Sequence, residues 1–152
     1  MKKLPLMLAA ILLYLSGCMP LDMLRIPAQK EVNFSDKALL CYCDEEQPKT
    51  IQVMDQLFVL LDPDDPELRK PLVAGEFEKY AYAGGTLAVY MNLTYHVFDV
   101  DDYAYPSAAV SGSYDAWRAY METYYHRYTI PEFEEACPQF QDYTWTVIRE
   151  KP

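Results

Sequence analysis

The chain has 152 residues, with 13 Lys and Arg against 23 Asp and Glu, a formal charge of −10 at pH 7. That length holds one domain with a core of its own. So acidic a surface excludes electrostatic binding to nucleic acid or to anionic lipid, and leaves a basic partner, or solubility alone, as its meaning.

Lys2 and Lys3 open the chain, and Leu4 to Leu15 is apolar apart from Pro5 and Tyr14. Ser16 and Gly17 follow, then Cys18. A basic start, an apolar run and small residues make residues 1–17 a secretory signal, too short to span a bilayer. The stretch Leu15-Ser16-Gly17-Cys18 resembles the lipobox of bacterial lipoproteins. The resemblance implies cleavage before Cys18, lipid on its sulfur and acylation of the new N-terminus. Cys18 is then the lipid attachment residue, and its two or three acyl chains suffice for stable anchoring to a bilayer. No cofactor is expected beyond this covalent lipid. In Gram-negative lipoproteins an Asp at the second mature position typically favours the inner membrane. Met19 stands there, which implies the outer membrane, facing the periplasm, with the inner membrane as the alternative. Loss of Lys2 and Lys3 leaves 11 basic against 23 acidic residues, a formal −12.

Residues 18–31 contain Pro20 and Pro27 and no sustained period, so they read as a tether, with a single domain over 32–152. "ALLCYC" (38–43) is a short apolar strand closed by "DEEQPK". In "TIQVMDQLFVLL" (50–61) Ile51, Val53, Leu57, Val59 and Leu61 alternate with other residues, and Asp55 is the exception. "DPDDPELRKP" (62–71) is a connecting loop with three prolines. "FEKYAY" runs into Gly84-Gly85, a hairpin signal. "TLAVYMNLTYHVFDV" (86–100) then reads as one long strand, with Leu87, Val89, Met91, Leu93, Tyr95 and Val97 on one face. His96 falls on the other, more polar face beside Asn92 and Thr94. Trp117, Tyr120, Met121, Tyr124 and Tyr128 recur at helical spacing, so residues 113–128 read as a helix capped by Ser113, with His126 on its charged flank and Pro131 limiting it. "DYTWTVIRE" (142–150) alternates again, as a final strand.

These elements predict a mainly β fold: an immunoglobulin-like antiparallel β-sandwich of six or seven strands, with one helix before the last strand. An α+β fold is the alternative.

An exported chain meets an oxidising compartment, so Cys41, Cys43 and Cys137 are disulfide candidates. Cys41 and Cys43 share a face on a strand and would bridge only with unusual geometry. A long-range bridge from either to Cys137 is expected, leaving one thiol over. Catalytic patterns are lacking: "VSGSY" (110–114) lacks the flanking glycines of a nucleophile elbow, and five glycines leave no phosphate-cradling loop. His96 and His126 read as structural or surface residues. "DPDDPE" and "DVDDY" could donate oxygens to calcium, but neither fits the EF-hand pattern, and no metal site is expected. The chain is therefore not expected to be an enzyme.

Tyrosine stands out instead. Twelve of fourteen lie between Tyr80 and Tyr143, and tyrosine pairs contact area with a polar tip. Asp101, Asp102, Tyr103 and Tyr105 in the acidic loop "DVDDYAYP" are the candidate partner-binding residues, suited to a basic protein. A lipobox, a short tether and a strand bearing "LLCYC" ahead of a β-rich domain is similar to the immunity lipoproteins of type VI secretion systems in enteric bacteria. That resemblance implies a membrane-anchored module that blocks a basic toxin in the periplasm and binds no nucleic acid. A structural or assembly lipoprotein of the outer membrane is the alternative, followed by a thiol or metal-binding protein using Cys41 and Cys43.

Overall fold

The computed structural model describes residues 28–43 and 54–150. The leader, Cys18 and most of the tether lie outside them, as do Ile51 and Val53. The protein is mainly β, built of two antiparallel sheets. Strands β1 (Lys30–Phe34), β2 (Ala38–Tyr42), β3 (Asp55–Leu60) and β4 (Arg69–Gly75) form the first sheet in that order. The second contains β5 (Lys79–Ala83), β6 (Thr86–Met91), β7 (Thr94–Asp99), β8 (Tyr125–Thr129) and β9 (Thr146–Val147), in the order β8-β7-β6-β5-β9. Strands β1 to β4 and β5 to β8 pair in sequence order, so the sandwich is two stacked meanders and the chain changes sheet between β4 and β5. Among the described residues three short helices, α1 (Ala108–Ser111), α2 (Tyr114–Met121) and α3 (Ile130–Ala136), follow β7 in the chain, two before β8 and one after it.

The inner faces share one core. Leu40, Leu57, Val59 and Val73 meet Leu87, Val89 and Phe98 across the two sheets, all at most 6% exposed. Removing such side chains from water supplies the main drive for stacking the sheets. Rings align the meanders: Phe34 of β1 lies 5.2 Å from Tyr82 of β5, and Tyr42 of β2 lies 5.8 Å from Tyr80.

The stretch expected as one long strand is a hairpin. Asn92 and Leu93 take φ of 49° and 61°, both left-handed, and form its two-residue turn. That conformation matches the twist of paired strands. The turn inverts the facing of everything after it. Leu87, Val89 and Phe98 point into the shared core, while Ala88, Tyr95 and Val97 lie on the outer face. Alternation had placed Tyr95 and Val97 with Leu87, and His96 on a polar face. His96 is instead buried, at 4% exposure.

That outer face is apolar because it is covered. Phe133 and Cys137 from the α3 region, Phe140 of a following 3-10 turn and Trp145 pack onto it, with Phe133 stacked 3.8 Å from Tyr95. The helix expected over 113–128 is shorter. Ser113 does cap it, accepting from the Ala116 N–H at 3.4 Å, but it ends at Met121. Residues 125–129, including His126, pair with β7 as β8. Pro131 lies in the first turn of α3, where its missing N–H costs nothing. Thr129 and Glu132 form the capping box that starts this helix. The final alternating segment contributes only the two-residue β9, and the first strand among the described residues starts at Lys30.

Leu93 is 72% exposed and held in a conformation that L side chains disfavour. Leu93→Gly is therefore expected to stabilise the protein by about 1 kcal/mol in a urea titration, after the extra chain entropy of glycine is set against the relieved strain.

Candidate protein-binding surface

All four strands of the first sheet and β5 to β8 of the second run between two ends of the sandwich. β1 starts at Lys30, opposite Tyr42, so the segment from Cys18 joins the end where β3 begins and β4 finishes. The other end collects the β1–β2 turn, the β3–β4 loop, the Gly84-Gly85 turn and the loop after β7. Polar contacts knit these together. Tyr105 donates its hydroxyl to the Asp36 carbonyl at 2.7 Å, and Lys37 donates to the Asp101 carbonyl at 2.7 Å. Tyr82 donates to the Asp101 carboxylate at 2.9 Å, and the Asp101 N–H donates to the Gly85 carbonyl at 3.0 Å. Gly85, at φ +80°, leaves no room for a side chain beside Asp101.

The result is an acidic end that the linear sequence distributes over three segments. Asp36, Asp62, Asp64, Asp65, Glu67, Asp101 and Asp102 all reach its surface, Asp62 partly and the others fully. Asp62 and Asp65 fold the proline-rich loop by accepting from the N–H groups of Asp64 and Glu67, at 2.8 and 3.1 Å. The Tyr105 phenol is pushed up first by burial, then by the negative charges of Asp36, Asp62 and Asp64, which places these carboxylates around it. Lys37 offsets part of this charge, and Arg69 stacks over Phe58 at 4.7 Å.

Of the four residues expected to bind a partner, Asp101 and Asp102 are exposed. Tyr105 is half-buried and supports the loops from beneath. Tyr103 is not available to a partner: it is 1% exposed and donates its hydroxyl to the Leu60 carbonyl at 2.9 Å. Phe98, Tyr105, Tyr120 and Tyr124 surround it at 5.3 to 6.3 Å between ring centres. Its burial raises its pKa. Asp36 and the 62–67 carboxylates were the residues missed. "DPDDPE" was visible as acidic, but its convergence with residues 101 and 102 needs the fold.

The three cysteines are buried and no disulfide joins them, so the expected bridge to Cys137 is not formed. The reason is topological. Cys41 faces outward from the first sheet with Leu39 and Leu60, whereas Cys137 covers the outer face of the second. The whole sandwich separates them. Burial pushes the Cys41 thiol up to about 11, helped by Glu31, and raises Cys137 as well, so neither is an activated nucleophile. Among the described residues, no group of three or more His, Cys, Asp or Glu is placed to hold a metal. No helix among them is long and apolar enough to cross a membrane.

His96 is the one buried histidine. Its Nδ1 lies 2.6 Å from the Tyr125 hydroxyl, which donates to it in the neutral tautomer that carries its proton on Nε2. Burial, aided by Arg127, lowers its pKa from 6.5 to about 4. Burial likewise pushes Tyr125 up to about 12. No protein-family model, curated protein or solved structure matches this chain.

Because the folded state keeps His96 neutral, unfolding takes up a proton below pH 6.5, and stability falls as pH drops from about 6.5 towards 4. His96→Gln is expected to flatten that part of the stability-pH curve by roughly 2 kcal/mol between pH 7.5 and 4.5. Urea titrations of both proteins across this range provide the check, and parallel curves would contradict the assignment.

Proposed function

We propose that this protein is a lipid-anchored periplasmic lipoprotein that binds another protein, acting as an immunity module against a basic toxin delivered by type VI secretion. The observation that carries the reading is the convergence of three acidic loops at the end of the sandwich away from the tether. The tether from Cys18 enters at Lys30, at the opposite end, and a strand of five or six residues is roughly 17–20 Å long. Anchoring at Cys18 therefore attaches the domain by the end opposite the carboxylates of Asp64, Asp101 and Asp102 and leaves them free to meet a partner. Twelve residues of tether extend the reach by up to about 40 Å. A concentrated negative end steers a cationic protein into contact and speeds association by tenfold or more at low salt. Blockade then comes from occupying the partner's surface, which demands no catalytic group of this chain.

The test uses the full-length chain in detergent as bait, against envelope extract and candidate periplasmic toxins at low salt. A cationic protein is expected to be retained. The Asp64→Lys, Asp101→Lys, Asp102→Lys triple variant should slow its association at least tenfold, with the difference shrinking as salt is added. Retention with an unchanged association rate would remove the acidic end from the contact. Recovery of no cationic protein would count against the immunity reading.

A further inference from the structure

A second surface lies on the side of the sandwich where β4 and β8 are the edge strands. A groove of about 640 Å³ runs there, roofed by α2 and walled by Pro71 and Leu72 of β4 and by β8 itself. Tyr114, 77% exposed, and Trp117 supply its aromatic surface.

The edges of the two sheets differ in how they meet solvent. β1 carries Lys30, Glu31 and Asn33, β9 is two residues long, and β4 holds Pro71 and a register shift against β3. Each is a device that discourages another strand from pairing. β8 is five residues long without proline or register shift, and Arg127 is its one Lys, Arg, Asp or Glu. The Asp99 N–H donates to the Tyr124 carbonyl at 2.9 Å, which sets the alternation of this antiparallel pair. By that alternation the backbone N–H and C=O groups of Tyr125 and Arg127 point away from β7, into the groove.

The charge here is opposite to that of the rest of the protein. Arg127 is exposed in the groove, and Lys70 sits over Trp117 at 4.9 Å. Arg118 meets Glu122 at 3.7 Å, in a solvent-exposed pair worth little. Arg118 is set against Glu122 and Lys70 donates to the Ser111 carbonyl, so Arg127 leaves the lining net positive, on a chain of formal charge −10, and selects an acidic guest. A second copy pairing through the same edge is the poorer occupant, because it sets its own Arg127 against this one.

We propose that this groove is a strand-docking site, where an extended acidic segment of a partner polypeptide adds to the second sheet alongside β8. Backbone groups of Tyr125 and Arg127 hold the segment in register, and the Arg127 guanidinium selects its carboxylates. The acidic end is not involved, so this site stands or falls separately from the immunity reading.

The test titrates the full-length chain in detergent at low salt with two blocked eight-residue peptides, one alternating Asp with Val and the other Lys with Val. The Asp peptide is expected to bind at least tenfold tighter, change Trp117 fluorescence and protect the Tyr125 and Arg127 amides from hydrogen exchange. Arg127→Glu should abolish the preference. Arg127→Pro, which removes an outward N–H and leaves the β7 ladder intact, should weaken binding more than Arg127→Ala does. Equal affinity for the two peptides, binding of neither, or protection confined to other strands would overturn the proposal. So would self-association that excludes the Asp peptide.

Discussion

Asp55 is buried within the sandwich, and its cationic partner, Arg149, arrives from 94 residues further along the chain. The guanidinium grips both carboxylate oxygens, with Nη2 at 2.9 Å from Oδ1 and Nη1 on Oδ2. It also donates to the Cys43 and Phe77 carbonyls, each at 2.7 Å. Asp55 in turn accepts from the Cys43 and Phe77 N–H groups, at 3.1 and 2.8 Å. One ion pair thus satisfies backbone groups after β2 and in the link between the sheets, and draws the C-terminal segment against both. The fork of Arg matches a carboxylate and two carbonyls at once, which an ammonium could not do. Burying such a pair costs solvation, so its value lies in specifying the arrangement as much as in net stability.

The clip closes the end of the sandwich where β1 and β3 begin. It holds Ile148 in the shared core and places β9 on β5, so the outer aromatic layer of Trp145, Phe133 and Phe140 has a fixed strand to rest on. Lys79 lies over the Trp145 ring at 4.7 Å, and beside it Tyr95, Phe133 and Trp145 line a recess of about 370 Å³. With that end closed and the outer face covered, the acidic end and the β8 groove are left as chemically distinctive surfaces. The first is a product of turns, the second of a sheet edge beneath a helix.

Much of this was legible in the sequence where a local signal has a local cause. "ALLCYC" reads as a buried strand because every residue of β2 is buried on one face or the other. Gly84-Gly85 marks its hairpin because both residues need positive φ. The Asn92-Leu93 turn escaped notice because leucine is a poor advertisement for a left-handed turn, and because α3 makes both faces of the hairpin apolar. Alternation then continues unbroken through the bend. The 113–128 segment kept a helical spacing past Met121, yet Thr129-x-x-Glu132 with Pro131 was a readable start for a new helix. Long-range pairings had no such signal. Asp55 looked like an interruption in a strand, Tyr103 looked like a docking residue, and their true partners, Arg149 and the Leu60 carbonyl, are visible only in the fold.

The central claim is that the Asp55–Arg149 clip holds together the end of the sandwich where β1 and β3 begin, and unfolding of clip variants in urea tests it most directly. Arg149→Met strands a buried carboxylate and should destabilise the protein by about 3–5 kcal/mol. The Asp55→Leu, Arg149→Met double variant removes the charge as well as its partner and should recover part of that loss. A single variant within about 1 kcal/mol of the parent, the range of an exposed surface pair, would contradict the account.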